Sequence, residues 1–367
     1  MRTIGVEEEL LLVDPETGRP VAIAGSVLDR VRSSGSEETE DDEGAVEGEL
    51  QQQQIEIGTP PCRSLDELGS QVRRWRHEAI GHAERAGARI VAVGTSPLAV
   101  VPTLTIKPRY QAMVANFGLT AAEQLSCGCH VHIGVSSEEE GVAVLDRIRV
   151  WLPALLALST NSPYWQGTDT GYASFRSQTW ARLPTAGPTE IFGSADRYHN
   201  YVETLLDTKV VLDEGMVYFH ARLSHHLPTV EIRITDVCLE ADDSVLIAAL
   251  TRGLVETAAR NWHAGAPPPP TDATLLRLAT WRAGRSGLGD QLLDPVRATP
   301  SPAKKVIANL VEHVADALRD AGDDTIVAEL LAALFSRGTG ASRQRAWTEE
   351  SSDLGAMVLR MADVTNP

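Results

Sequence analysis

The segment Ile4-Gly5-Val6-Glu7-Glu8-Glu9-Leu10-Leu11-Leu12-Val13 constrains the fold more than any other stretch of the chain. Read as a strand, its period-two alternation puts Ile4, Val6, Leu10 and Leu12 on one face and Glu7 and Glu9 together on the other. An apolar face that continuous must be covered, and side-by-side carboxylates repel each other unless they meet a cation. Oxygen donors suit magnesium or manganese, although acidic side chains on the wet face of an amphipathic strand are also ordinary. Glu8 interrupts the apolar face, and the pattern leaves open whether it supports the acidic pair or sits at a sheet edge.

Two later segments repeat the design. In Gly128 to Val135, Cys129, Val131, Ile133 and Val135 oppose His130 and His132; in Thr229 to Val237, Val230, Ile232 and Ile234 oppose Glu231, Arg233 and Thr235. In an antiparallel sheet with helices on one side, such polar faces can converge on one surface. Glu49 leads into Gln51 to Pro60, which reads as a further core strand carrying Glu56. Carboxylates, an imidazole and an arginine suit two or more hard divalent ions holding a nucleotide polyphosphate. The chain has no Walker-type glycine loop and no dinucleotide fingerprint, so a nucleotide must be held another way. Alternation turns Cys127 and Cys129 away from His130 and His132, which favours buried thiols over a transition-metal site. A plain pair of hydrogen-bonded sheet histidines accounts for His130 and His132 equally well at this point, and His225 and His226 read as surface residues of a turn.

Between these strands, Asp14-Pro15-Glu16-Thr17-Gly18 signals a hairpin turn with a return through Pro20 to Ala22. The run from Glu37 to Glu49 holds eight acidic side chains and reads mostly as a solvated loop. Ser64-Leu65-Asp66-Glu67 has capping-box spacing and predicts a helix to about Ala86, followed by a short buried strand at Arg89 to Val93. A helix is expected from Ser137 towards Leu158 and another from Arg197 to Asp207, with an extended run at Met216 to Arg222. Asn161 to Asp196 has little periodicity but many aromatics, the mark of an ordered functional loop. From Glu240 onward the chain reads as helical, broken at the Pro267 to Pro270 linker and near Pro300 and Gly338.

The 367 residues, 43% of them hydrophobic, suffice for one large domain or two intimately packed halves. A formal charge of −17, from 33 Lys+Arg against 50 Asp+Glu, opposes nucleic-acid or anionic-membrane partners. The N-terminus does not resemble a signal peptide, no apolar stretch reaches membrane-spanning length, and four scattered cysteines make no disulfide framework. A cytoplasmic protein with reduced thiols is expected.

Taken in order, Gly5-Val6-Glu7-Glu8-Glu9, Gln54-Ile55-Glu56, His130-Val131-His132, Asn161-Ser162-Pro163-Tyr164-Trp165 with Asp169-Thr170-Gly171 and Arg176, and Thr229-Val230-Glu231-Ile232-Arg233 resemble the type 2 glutamate-cysteine ligases, also described as carboxylate-amine ligases. The resemblance spans most of the chain. It implies an α+β, glutamine-synthetase-like fold: an antiparallel sheet forming a funnel, helices on its outer face, and a helical C-terminal third. One catalytic domain over residues 1–367 is implied, with a sheet-bearing core to about 240. It also implies ATP and magnesium, with manganese a substitute, and small-molecule substrates; a homo-oligomer is compatible with it. Glu7, Glu9, Glu49, Glu56, His130 and Glu231 are implied as metal ligands, with His132 as a further one and Arg233 on phosphate beside Glu231. Arg176 and Arg222 are implied on substrate, Arg176 as the binder of a carboxylate. Glu49 and Glu56 have opposite parity on one strand, so a bulge or bend is expected if both bind metal.

The implied reaction phosphorylates a carboxylate with ATP and lets an amine displace phosphate, by default from L-glutamate and L-cysteine. Another acid and amine, an ATP-guanidino phosphotransferase and a non-catalytic nucleotide-binding regulator are the competing readings. Where the family usually has a Trp-Asp pair before an arginine, this chain has Phe219-His220-Ala221-Arg222, which puts substrate choice in question.

Overall fold

A computed structural model describes residues 1–33 and 45–366. Seven strands form one antiparallel sheet: β1 (Ile4–Val13), β2 (Ala45–Gly48), β3 (Gln54–Gly58), β4 (Arg89–Val91), β5 (Cys129–Gly134), β6 (Ala221–Leu223) and β7 (Thr229–Ile232). The lateral order is β2-β3-β1-β5-β7-β6, with β4 pairing the end of β1 at Leu11–Val13. The long first strand is central, and every other element of the site is referred to it.

Its even-numbered side chains face the helices. Ile4 and Val6 pack with Val131, Ile133, Val230 and Ile232 against Leu68 and Val72 of the Leu65–Arg85 helix and Val245, Leu246 and Leu250 of the Ala241–His263 helix. Farther along, Leu10 and Leu12 join Ile55 and Ile57 under Trp75 and Ala79. All four cysteines are buried and free. The first of those helices starts as its sequence signals: the Ser64 hydroxyl accepts from the Glu67 N–H, and the Glu67 carboxylate accepts from the Arg63 N–H.

The helical side also explains Glu8. Its carboxylate is 1% exposed, and Arg76, at 0%, grips it through Nε and Nη2, both at 2.7 Å. Ser244 adds a hydroxyl, and the remaining guanidinium N–H groups reach the carbonyls of Cys238 and Leu239. Glu8 is therefore neither at a sheet edge nor beside the acidic pair. It is half of a satisfied ion pair inside the helix–sheet layer.

Several elements differ from expectation. The hairpin return is brief, one bridge between Val13 and Pro20, and a helix at Ala24–Ser33 follows it. Most of the acidic run, from Glu37 to Glu43, lies outside the described residues, while its end forms β2. The expected single helix from Ser137 divides into Glu138–Ile148 and Leu152–Ser159, with Pro153 in the first turn of the second. Of the extended run expected from Met216 to Arg222, Met216 closes a 3-10 turn at Glu214–Met216, Phe219 makes a single bridge to Gly187, and only Ala221 and Arg222 lie on a strand, β6; β7 stops at Ile232. In the C-terminal third, a small hairpin, Gln291–Leu293 with Pro300–Pro302, interrupts the helices. The last helix, Leu354–Thr365, returns to the sheet edge, where the Thr365 hydroxyl accepts from the Ala92 N–H.

Candidate active site

On an antiparallel sheet, directly opposed residues point to the same side, so the register can be read as rows across the polar face. One row runs Glu47, Glu56, Glu9. The next runs Gly58, Glu7, His130. A third runs Gly5, His132, Glu231, Arg222. Six strands thus bring titratable side chains to one surface, as alternation suggested for β1, β5 and β7. Glycine at positions 5 and 58 keeps the rows open beside His132 and Glu7.

Glu7 is the hub. Its Oε2 lies 3.2 Å from His130 Nδ1 and its Oε1 3.2 Å from His132 Nε2. One donor atom each from Glu7, Glu56 and His130 lies within 4.8 Å of the others, and the same holds for Glu7, His132 and Glu231. Among the described residues these are the two groups able to hold a metal ion, and Glu7 belongs to both. His132 Nδ1 lies 3.0 Å from the Thr229 hydroxyl; when Nδ1 donates to it, Nε2 presents a lone pair to the site.

The electrostatics are those of a carboxylate cluster short of cations. Burial pushes the Glu56 carboxyl well above the usual range, and the charges of Glu49, Glu7 and Glu9 push it further. Burial also acts on Glu7, but hydrogen bonds and charge from His130 and His132 hold it well below the usual range. Burial and the Arg233 charge lower His130, whereas His132, despite burial, is raised by Glu7. Oxygen donors and the two imidazoles, with one carboxyl disfavoured as an anion by its acidic neighbours, fit hard divalent cations, whose binding would displace the proton that Glu7 favours on His132.

Glu231 is buried and sits between two guanidiniums. Arg222 Nε lies 2.6 Å from its Oε2, and Arg233 pairs with its Oε1. Against the effect of burial, the two cations hold its carboxyl down at about 2. Arg222 is further committed to the carbonyls of Glu214 and Val217, so its position is that of a brace on Glu231. Arg233 Nε, by contrast, is buried without a hydrogen-bond partner.

Two clefts flank the Glu7 row. The larger, about 740 Å³, is lined by Glu7, Glu47, Glu56 and His132 together with Val6, Pro61, Val135 and Leu227. The smaller, about 160 Å³, is lined by Glu9, Glu49, His130, Arg176 and Arg233, with Tyr110, Trp180 and Tyr218. Arg176 is 2% exposed, lies over the Trp180 ring, and makes no ion pair among the described residues; its Nε also lacks a partner.

The residues expected at the site divide accordingly. Glu7, Glu56, His130, His132 and Glu231 enter the two triads. Glu9 and Glu49 line the small cleft beside them, where Glu9 accepts from the Gly128 N–H and Glu49 from the Leu50 N–H at 2.7 Å. The expected bulge between Glu49 and Glu56 is absent. Glu49 follows β2 and Glu56 lies on β3, so a reversal of the chain, not a kink, puts them on one face. Glu47, opposite Glu56, was missed because it lies in an acidic run that reads as solvated loop. His220 does not line the small cleft; it stacks behind Trp180, 6.1 Å between centroids, and burial with the nearby Arg277 and Arg176 charges lowers it to about 3. His220 thus touches the cleft from behind, through the Trp180 ring and through its carbonyl, which accepts from the Arg233 N–H at 2.9 Å.

A family model described as glutamate-cysteine ligase family 2 matches residues 3–357. A Streptomyces avermitilis protein provisionally named glutamate–cysteine ligase 2-1 is 52% identical over 354 residues, 96% of each chain. A Streptomyces coelicolor protein provisionally named glutamate–cysteine ligase 2 is 49% identical over 358 residues, 98% of this chain and 97% of its own. Among solved structures, the glutamate–cysteine ligase of Francisella tularensis in complex with AMP superposes with a TM-score of 0.71 at 13% identity, covering all of this chain and 88% of that one. A bifunctional glutathione synthetase from Pasteurella multocida gives 0.68 at 16% identity, over all of this chain and 52% of that one. These likenesses show the fold, which is α+β and glutamine-synthetase-like. No helix among the described residues is long and apolar enough to cross a membrane.

Proposed function

The chain belongs to glutamate-cysteine ligase family 2, a family of ATP-dependent carboxylate-amine ligases, and from that premise we propose that it joins L-glutamate to L-cysteine through an acyl phosphate. The observation that carries this reading is the position of Glu7, shared by two ligand triads and standing between two clefts of different character. The larger, partly apolar cleft suits a nucleoside with its polyphosphate directed at the Glu7 row. The smaller, rich in arginine and aromatic side chains, suits an amino acid.

Glu7, Glu56 and His130 would hold one divalent ion, and Glu7, His132 and Glu231 a second. Such ions supply charge neutralisation between the anionic γ-phosphate and the anionic carboxylate that must meet it. The chain's own residues do the rest. Arg176, buried and without a carboxylate partner, takes the α-carboxylate of the acid, leaving the γ-carboxylate directed at the triads. Its oxygen attacks the γ-phosphorus, the bond to the ADP oxygen breaks, and Arg233 balances the charge on the transferring group. The amine nitrogen then attacks the acyl carbon, phosphate leaves, and the amine gives up a proton. Arg222 keeps Glu231 ionised and aligned throughout. Trp180, Tyr110 and Tyr218 wall the acid from bulk water, which would otherwise hydrolyse the acyl phosphate.

The test is orthophosphate release from ATP and magnesium across a grid of amino acids and amines, with mass spectrometry of products and Glu231→Gln as control. Release that needs glutamate and cysteine together, yields γ-glutamylcysteine and disappears in the control supports the reading. Release with another pair keeps the ligase and replaces the substrates. No release with any pair, despite ATP binding, contradicts it.

A further inference from the structure

Arg176 begins a five-residue helix, Arg176–Trp180, whose N-cap, Phe175, offers no side-chain acceptor. The first N–H groups of a helix need partners from elsewhere, and here they come from two serines. The Arg176 N–H donates to Ser162 Oγ at 3.0 Å, and the Ser177 N–H donates to Ser174 Oγ at 3.2 Å. Both hydroxyls in turn donate to one carboxylate, Asp236: Ser162 to Oδ2 at 2.7 Å and Ser174 to Oδ1 at 2.8 Å. The Asn161 N–H supplies a third bond to Oδ2 at 2.9 Å. Asp236 is 0% exposed.

The same stretch of chain also fixes the other end of Arg176. Its Nη1 and Nη2 each lie 3.3 Å from the carbonyls of Ile234 and Arg233. Residues 233–236 therefore hold Arg176 twice, by its guanidinium directly and by its backbone through the two serines, and the segment starts with the arginine assigned to the phosphoryl group. Neighbouring glycines leave no slack. A Cβ at Gly94 would lie 3.0 Å from the Asp236 carboxyl carbon and from Ser162 Cβ, and one at Gly128 would lie 2.2 Å from Arg176 Nη2.

We infer that Asp236 is a positioning residue that sets the acid-binding geometry of Arg176 through Ser162 and Ser174. This rests on the ligase reading for the identity of the acid, but not for the geometry. An isosteric amide has a single acceptor oxygen and so cannot take all three bonds; the serine that meets its NH2 must turn its hydroxyl hydrogen away and accept instead, which weakens its hold on the first turn of the helix. Arg176 then keeps its chemistry and loses its fixed place.

The experiment compares Asp236→Asn, Ser162→Ala and Ser174→Ala with the parent full-length protein. In Asp236→Asn the KM for L-glutamate is expected to rise about tenfold or more, with kcat and ATP affinity nearly unchanged. In an Arg176→Ala background the same change is expected to add nothing further. The serine variants, which keep the carboxylate, cover the case in which Asp236→Asn does not fold. In them amide hydrogen exchange should accelerate selectively, at Arg176 in Ser162→Ala and at Ser177 in Ser174→Ala. An unchanged KM in all three variants, or equal losses in kcat, ATP affinity and KM, overturns the inference. If the parent protein shows no dependence on L-glutamate, the glutamate reading fails, and unaltered exchange at Arg176 and Ser177 in all three variants overturns the positioning role by itself.

Discussion

Neighbouring carboxylates on β1 have opposite fates. Glu8 points into the helical layer and meets Arg76, Ser244 and a full set of hydrogen bonds. Glu7 and Glu9 point the other way, into a surface where Glu56, Glu49 and Glu231 crowd them, and where the cations present are committed mainly to Glu231. A folding chain gains nothing from such crowding, since like charges disfavour each other's ionisation. The contrast separates a carboxylate used for structure, which brings its cation with it, from carboxylates whose cations come from solution.

The sharpest way to break this contrast is at Glu7. Because both triads share it, Glu7→Gln is expected to reduce ATP-dependent turnover by about 10³-fold or more, the scale of several kcal/mol of lost charge stabilisation, in a phosphate-release assay. On the other face, Arg76→Met leaves Glu8 buried and unpaired, and should cost about 3–5 kcal/mol in denaturant unfolding. Adding Glu8→Leu to that variant should restore much of the loss.

A subtler effect is expected from Glu56. Its carboxyl is raised in the folded state, so the folded protein holds this proton more tightly than the unfolded chain. Stability without divalent ions should therefore fall as pH rises from the ordinary carboxylate range through the raised value. Glu56→Gln or added magnesium should flatten that slope in thermal melts at a series of pH values. Glu231, held down at about 2, works in the opposite sense: its contribution is present above the ordinary carboxylate range and lost only as pH falls towards 2. The smallest effect belongs to a pair that shares Glu8's chemistry but not its burial. Arg73 and Asp242 pair on the surface, each about half exposed, and Arg73→Gln should cost less than about 1 kcal/mol.

The division between the two faces of β1 was legible in the sequence because period-two alternation is a local property, and the same holds for the faces of β5 and β7. The family motifs pointed further to Glu56, His132 and Arg176, which the fold brings to the same surface or the cleft beside it. What local pattern could not supply was pairing over distance. Glu8's partner lies 68 residues away on a helix, so the sequence showed only an interruption. Glu49 and Glu56 read as one strand needing a bulge or bend because the reversal between β2 and β3 leaves no strong turn signal among four glutamines. Asp236 reads as one more polar residue at a strand end; its role depends on serines 74 and 62 residues away.

The most direct test of the contrast between the two faces is a manganese titration followed by electron paramagnetic resonance, on the parent protein with a non-hydrolysable ATP analogue. Two bound ions with mutual spin coupling are expected, since the triads share Glu7, with both sites weakened in Glu7→Gln. Manganese that fails to bind, or binds equally well after Glu7→Gln, would contradict the assignment of this face to cations from solution.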